Sequence, residues 1–275
     1  MNKKYFFLIL VCIGLTQGSM AQGHGPLYGL QTPTLPQGHV NLNVGAMSLS
    51  SESGESYMLR YMFSYGLTED FQLNLTAPTP ISGIKKPPRT RGNSNMPANS
   101  DIEASLWGRI FSNAFDVGKR VESTAVLSGS LPTDKERGKT NVGPSVHGAL
   151  STGYASRTWY AWIGSGYQYY FEKNHEQLGD LPYGSLVVGY RPDFIKADWR
   201  IFIESLAEFP KNNKSAEGMT IPAHRTQKLL IGPSFLGLYG AWGISFGGLI
   251  PVYQNVNKNY QKENFRLSMN ISYWL

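Results

Sequence analysis

The sequence predicts an all-β fold: a transmembrane, antiparallel, up-and-down β-barrel of about twelve strands, with ten or fourteen as the neighbouring counts. Three observations predict it. Apolar and polar side chains alternate with a period of two in segment after segment, which places the two sets on opposite faces of a strand. The connections between the segments alternate in length. The chain opens with a pattern that directs export.

The opening pattern is a secretory leader. Lys3 and Lys4 precede an apolar run from Tyr5 to Leu15, and Ser19-Met20-Ala21 offers small residues at the two positions a signal peptidase reads. Residues 1–21 are therefore expected to be a signal peptide, cleaved after Ala21. The apolar run falls short of the ~20 residues that span a bilayer. The one cysteine, Cys12, lies inside it, and Val11 before it is not the small residue that a lipoprotein needs. The mature chain thus holds no thiol for a disulfide, a metal ligand or a nucleophile.

Composition narrows the class. The chain carries 25 basic and 19 acidic residues; without Lys3 and Lys4 the balance is 23 against 19. That is too mild to imply a nucleic-acid partner, and none is expected. Charged residues make up 16% against ~25% in soluble domains. Aromatics reach 13% and glycines number 30. Mean hydropathy is negative, so no membrane helix is expected after the leader. Low charge, many Tyr and Trp, much Gly and no hydrophobic run suit a barrel whose strands show one face to lipid and the other to a polar interior.

The strands follow in order. Residues 22–37 are expected to form an N-terminal periplasmic segment, with the barrel over 38–275. Residues 38–48 alternate through Val40, Leu42, Val44 and Ala46; 56–65 through Tyr57, Leu59, Tyr61, Phe63 and Tyr65; 71–79 through Phe71, Leu73, Leu75 and Ala77; 101–111 through Ile102, Ala104, Leu106 and Ile110. Later strands are expected at 119–131, 142–155, 158–171, 182–191, 198–209, 227–237, 242–252 and 264–275, and the periodicity weakens in the middle of this series. Tyr57, Tyr65, Trp159, Tyr190, Trp199, Trp242, Tyr273 and Trp274 fall at strand ends, where aromatic girdles sit.

The even-numbered connections are short: Gly66–Asp70, Ser112–Gly118, Ser156-Arg157, Arg191–Ala197 and Gly237–Ala241. The odd ones are longer and more polar: Leu49–Glu55, Pro80–Ser100, Pro132–Asn141, Glu172–Leu181, Pro210–Arg225 and Tyr253–Glu263. Outer-membrane barrels have short periplasmic turns and long external loops, whereas a soluble sandwich has no reason to alternate in this way. The expected location is the outer membrane of a Gram-negative bacterium, with outer-membrane lipids and lipopolysaccharide as neighbours. Lys85, Lys86, Arg89 and Arg91 in the loop Ile81–Asn99 are candidates for lipopolysaccharide phosphates; the plainer reading is a solvated loop.

The last strand, "NFRLSMNISYWL", alternates to its end. Phe265, Leu267, Met269, Ile271 and Tyr273 are apolar, and Arg266, Ser268, Asn270 and Ser272 polar. With Trp274 and Leu275 this resembles the sorting signal read by the barrel assembly machinery, in which the final residue is often Phe or Trp; here Leu275 follows Trp274.

A family resemblance runs over most of the chain. "YGLTEDFQLNLTAPTPI" (Tyr65–Ile81), "SDIEASLWGRIF" (Ser100–Phe111) and "GSLPTDKERGKTNVGPSV" (Gly129–Val146) resemble segments of the outer-membrane barrel family named for the MetA pathway of phenol degradation. "GHGPLYGLQTPTLPQGHVNLNVGAM" is similar to its transporter-like branch. The resemblance implies passage of small molecules, hydrophobic or aromatic ones among them, and fixes no substrate.

Candidate lumen-lining residues, on this register, are Arg60, Asp101, Glu103, Arg109, Glu122, His147, Arg200, Glu204, Lys228 and Arg266. Charges of both signs inside a barrel either set the ion preference of a pore or pair and plug it. Pairing, with Trp107, Phe111 and Trp274 filling the lumen, would make a closed surface receptor or structural barrel. A lipid hydrolase is the third reading: His147 lies near Ser145 and Ser151, but no G-x-S-x-G elbow is present. No enzyme activity, cofactor or catalytic group is expected. His24, His39, His175 and His224 lack metal-ligand spacing, so no metal is expected either.

Overall fold

In a computed structural model of the chain, twelve strands close into one antiparallel barrel. The structure describes residues 25–32, 34–52, 54–83, 101–132, 143–173, 175, 177–195, 197–214, 220–221, 227–255 and 262–275, with backbone only for 80–83, 101, 213 and 220–221. The expected leader, His24, His224 and the loop Ile81–Asn99 fall wholly or almost wholly outside them.

The strands are β1 (Val40–Ser51), β2 (Gly54–Gly66), β3 (Phe71–Gly83), β4 (Asp101–Asp116), β5 (Lys119–Pro132), β6 (Ser145–Ala155), β7 (Trp159–Tyr170), β8 (Leu181–Tyr190) and β9 (Asp198–Glu208). A two-residue ribbon, β10 (Asn213–Lys214) with β11 (Thr220–Ile221), stands outside the barrel. β12 (Gln227–Tyr239), β13 (Trp242–Asn255) and β14 (Glu263–Trp274) complete the wall. Each strand pairs with its neighbours in sequence, and β9 pairs with β12. β1 closes on β14 with Val44 opposite Ile271, and Val40 and Leu275 exchange backbone hydrogen bonds at 3.0 and 2.9 Å. No strand edge is left open among them, which a barrel in hydrocarbon requires.

The β2–β3, β4–β5, β6–β7, β8–β9 and β12–β13 turns are short and share one rim; the longer connections lie at the other. Gly118 and Gly240 supply the positive φ (75° and 59°) that the two-residue turns of β4–β5 and β12–β13 demand. Two expected boundaries differ. β1 and β2 pair as far as Ser51 and Gly54, so their connection is tight rather than long. β4 continues to Asp116, through most of the turn expected at 112–118. Eight residues of it extend beyond its pairing with β3, which ends at Gly108, and lean on β5 instead.

Alternation sorts the side chains. Leu42, Val44, Tyr61, Phe63, Leu75, Leu106, Leu127, Ile163, Leu186, Ile203, Ile250, Leu267, Met269 and Ile271 are exposed on the outer face. Asn41, Asn43, Ser64, Asn74, Ser105, Thr124, Ser128, Ser151, Ser234 and Asn270 are buried inside. This inverts the pattern of a soluble protein and matches one with hydrocarbon outside. Phe111, expected in the lumen, is half exposed on the outer face. The bulge between Arg109 and Phe111 adds a residue and turns the side chain round. Trp107, by contrast, is buried inside, and Trp274 packs against the interior.

Residues 25–37 are where the structure departs most from expectation. Expected as a periplasmic segment, they run inside the barrel.

Candidate functional site

The inner segment enters at the short-turn rim. The Gly38 N–H donates to the Gly66 carbonyl at 2.8 Å, and the Leu35 N–H to Gln72 Oε1 at 2.7 Å. It then climbs the lumen. The Trp162 indole N–H donates to the Thr32 hydroxyl at 3.1 Å, the Thr124 hydroxyl to the Thr32 carbonyl, and the Ser151 hydroxyl to the Gln31 carbonyl at 2.8 Å. The Leu30 N–H reaches Ser185 Oγ at 3.0 Å. At mid-height the N–H groups of Leu27, Tyr28 and Gly29 all donate to the Glu204 carboxylate, at 2.8, 2.7 and 2.7 Å. The Ser234 hydroxyl donates to the same carboxylate.

Irregular backbone inside a barrel must find partners for its polar groups. Three successive N–H groups form an anion nest, and Glu204 supplies the anion from the wall. Pro26 and Pro36 carry no N–H and so reduce the demand. At Gly29 a Cβ would lie 2.3 Å from Val187 Cγ2, so only glycine lets the nest close on the wall.

The side chains of the segment complete a core in the lumen. Leu27, Tyr28 and Leu30 pack with Tyr183, Leu206, Leu230 and Leu249, all at most 3% exposed, with Met47 and Ala149 against them. Tyr28 ends in a hydrogen bond from its hydroxyl to the Gly247 carbonyl at 2.9 Å. Nearer the short-turn rim a second cluster joins Tyr160, Trp162, Val187, Phe202, Leu236 and Leu238, with Trp274 beside it. Glycines opposite make room: a Cβ at Gly153 would lie 2.0 Å from Trp162, and one at Gly189 2.3 Å from Phe202.

The lumen is therefore two-sided. The wall from β7 to β13 carries both apolar clusters and holds Leu27–Leu30, while Gln31, Thr32 and Leu35 bond to Ser151, Thr124 and Gln72 on β6, β5 and β3. The wall from β14 through β1 to β5 presents Asn43, Ser64, Asn74, Thr76, Glu103, Ser105, Ser128, Ser130 and Asn270. On it Arg60 Nη2 donates to Asn43 Oδ1 at 2.9 Å and to Asn270 Oδ1 at 3.0 Å.

Near the long-loop rim the Arg266 guanidinium grips Glu208 with two parallel hydrogen bonds, 3.0 and 2.7 Å, and also donates to Glu263. Glu263 accepts from Lys228 at 2.8 Å. These two cations and two carboxylates are at most 4% exposed and compensate one another.

The remaining predicted residues distribute along the barrel. His147 lies inside, with Nδ1 3.1 Å from Ser128 Oγ and Nε2 2.7 Å from the Tyr183 hydroxyl. Neither Ser145 nor Ser151 is its partner: Ser145 accepts from Gln168, and Ser151 holds the inner segment. Glu103 is buried opposite Ser130 and Thr76. Arg200 stands over the Tyr160 ring at 5.2 Å and reaches Asp198 at 3.2 Å. Arg109, expected to line the lumen, instead clamps the β2–β3 turn, with Asp70 at 2.8 Å and the Glu69 carbonyl at 2.9 Å. It also reaches Glu122 at 3.4 Å. Asp101 starts β4 opposite Pro132, and its side chain is not described.

Sequence reading missed Glu208, Glu263, Ser185, Ser234 and the inner segment. Glu208 shares its parity with Glu204 on β9 and was open to detection. Glu263 sits one residue before the expected start of β14.

Comparison with known proteins agrees with the fold. No protein-family model matches the chain, and no curated protein does. Among solved structures it is similar to the COG4313 outer membrane channel from Pseudomonas putida F1, with TM-score 0.65 and 12% identity over 91% of this chain and 100% of that one. It is also similar to the NanC porin, with TM-score 0.52 and 11% identity over 84% of this chain and 98% of that one. At such identities the likeness is one of fold: a closed twelve-stranded antiparallel barrel.

Proposed function

We propose that the chain is an outer-membrane channel-like barrel, exported by a signal peptide over residues 1–21, that passes small molecules along a lumen set by its own residues 25–37. The observation that carries this reading is the two-sided interior. The apolar part of the inner segment, Leu27–Leu30, rests on one half-wall, and the facing half-wall carries buried Asn, Ser, Thr and Arg60 side chains that a passing solute would meet. A barrel built only as a structural shell has no need of that division. The short-turn rim then faces the periplasm, the outer face of β14 is read by the assembly machinery, and the solved barrels of similar fold named as a channel and a porin support the class. The resemblance to the phenol-degradation barrel family adds aromatic compounds as candidate solutes. Neither this reading nor the next assigns the chain a reaction.

The test is planar-bilayer conductance of the refolded mature chain beside a variant lacking residues 22–37. The expected result is small discrete steps in the first and steps several-fold larger in the second. Silence from both, with heat-modifiable gel migration showing folded barrels, overturns the channel. The second reading, a closed surface or structural barrel, is favoured by the compensated cluster of Arg266, Glu208, Glu263 and Lys228, and it predicts that silence.

A further inference from the structure

At the long-loop rim the connections after β7 and β9 are locked to each other. Gln177 and Lys214 exchange backbone hydrogen bonds at 3.1 and 2.9 Å, and the Lys211 N–H donates to the Asp180 carbonyl at 2.7 Å. Gly179 sits beneath this crossing: a Cβ there would lie 1.8 Å from the Lys211 carbonyl oxygen. The two connections enclose a cleft of about 540 Å³, lined among others by Tyr169, Asp180, Lys211, Asn212, Lys214 and Gln227.

The cleft combines three chemistries at one height. Its cations are Lys211 and Lys214, both exposed. The Lys211 ammonium donates to the Tyr167 hydroxyl at 2.9 Å and lies 4.9 Å over that ring. The Tyr167 hydroxyl donates in turn to Asp180, whose carboxylate stays 4.0 Å from the ammonium. The bond to Tyr167 holds the Lys211 ammonium above the ordinary lysine range, so its charge persists. Hydroxyl-binding groups stand beside the cations: the Asn212 and Gln227 amides and the Asp180 carboxylate. Directly below, Tyr167, Tyr169 and Phe171 are exposed on the outer face, Tyr169 and Phe171 edge to face at 5.2 Å. This is the level at which the apolar belt gives way to the loops.

Phosphate pairs with ammonium groups, sugar hydroxyls with amides and carboxylates, and acyl chains with an aromatic belt. We propose that this cleft holds the phosphorylated sugar headgroup of an outer-leaflet glycolipid, with the phosphate against Lys211 and Lys214, hydroxyls against Asn212 and Asp180, and acyl chains descending past Tyr169 and Phe171. The proposal rests on the outer-membrane reading above. It places the lipid contact on the β7–β9 side of the long-loop rim, on residues other than the basic ones read from the sequence at 85–91.

The test uses the refolded chain in neutral detergent. Native mass spectrometry counts adducts with diphosphorylated lipid A, its de-acylated sugar phosphate, its dephosphorylated form and phosphatidylglycerol. Lipid A is expected to bind in preference to the other three. The double substitution Lys211→Gln, Lys214→Gln is expected to weaken it about tenfold, while Lys119→Gln, at the opposite rim, leaves it unchanged. Equal binding of phosphatidylglycerol or of the dephosphorylated form overturns the headgroup assignment. Equal binding of the de-acylated form makes the site one for a soluble sugar phosphate and overturns the lipid. An unchanged double variant overturns the cleft. A chain that yields no heat-modifiable barrel overturns the membrane reading and this proposal together, whereas a folded barrel without selectivity overturns the proposal alone.

Discussion

The backbone N–H of Tyr28 donates to the Glu204 carboxylate at 2.7 Å, across 176 residues of chain. That bond and its two neighbours, from Leu27 and Gly29, tie an irregular segment to the middle of a barrel wall. A carboxylate suits the place because it only accepts, and four donors converge on it once Ser234 is counted.

Glu204→Gln therefore sets an amide N–H₂ against donors that it cannot satisfy. Hydrogen bonds to charged groups contribute ~1.5–3 kcal/mol each, so losing one raises the released population of the segment about tenfold to a hundredfold. Single-channel recording is expected to show longer or larger openings, and amide exchange at Leu27–Gly29 to accelerate. Unchanged exchange would mean that the apolar contacts of Leu27, Tyr28 and Leu30 alone hold the segment.

Gly153→Ala tests the aromatic side of the same lumen. The added methyl would lie 2.0 Å from Trp162 Cδ1, and Trp162 stacks on Tyr160 at 5.7 Å while donating to Thr32. Overpacking of this kind costs ~1–3 kcal/mol. The expected readout is a lower midpoint for the loss of heat-resistant gel mobility, with faster exchange at Thr32. Gly148→Ala on the same strand, where a Cβ meets nothing within 4 Å, is expected to be silent.

How much of this was legible in the sequence differs along the barrel. The wall from β1 to β5 alternates cleanly because it has lipid on one face and polar groups on the other; Leu42 against Asn43 and Leu75 against Asn74 are readable at sight. β9 does not alternate: Phe202 and Leu206 face inward while Ile201 and Ile203 face the other way. The weakened period in the middle of the chain was itself the trace of the inner segment, since apolar residues on both faces, such as Phe202 and Leu206 between inward Arg200, Glu204 and Glu208, need an apolar partner inside. No local pattern marks "GPLYGLQTPTLPQ" as that partner, because its structure comes from a wall distant in sequence. The charges of Glu204, Lys228 and Arg266 could be assigned to the interior by parity, but their pairing depends on which strands face each other across the lumen.

Arg266→Met leaves Glu208 and Glu263 buried with Lys228 as their remaining cation in the cluster. Breaking a buried ion pair from one side costs ~3–5 kcal/mol, whereas replacing the whole cluster with apolar groups can be neutral. Arg266→Met is therefore expected to lower the urea midpoint of unfolding from lipid vesicles more than Arg266→Met combined with Glu208→Leu. Equal loss in the two would show that Glu208 makes its contribution elsewhere.

The terminal strand offers the sharpest test of register, because one residue separates lipid from lumen. Met269 is exposed on the outer face near the middle of β14, and Asn270 beside it is buried inside, 3.0 Å from the Arg60 guanidinium. Met269→Arg places a charge in hydrocarbon and is expected to cost ~2–4 kcal/mol of folding free energy in bilayers. Asn270→Asp places one against Arg60, where the carboxylate accepts the same hydrogen bond with charge assistance. It is expected to leave the midpoint unchanged or raise it. If the second variant lost as much as the first, the β1–β14 seam would be out of register by one residue. In that case Arg266, Ser268 and Asn270 would face the lipid, Arg60 would lose Asn270, and the polar half-wall on which the proposed channel rests would lose β14.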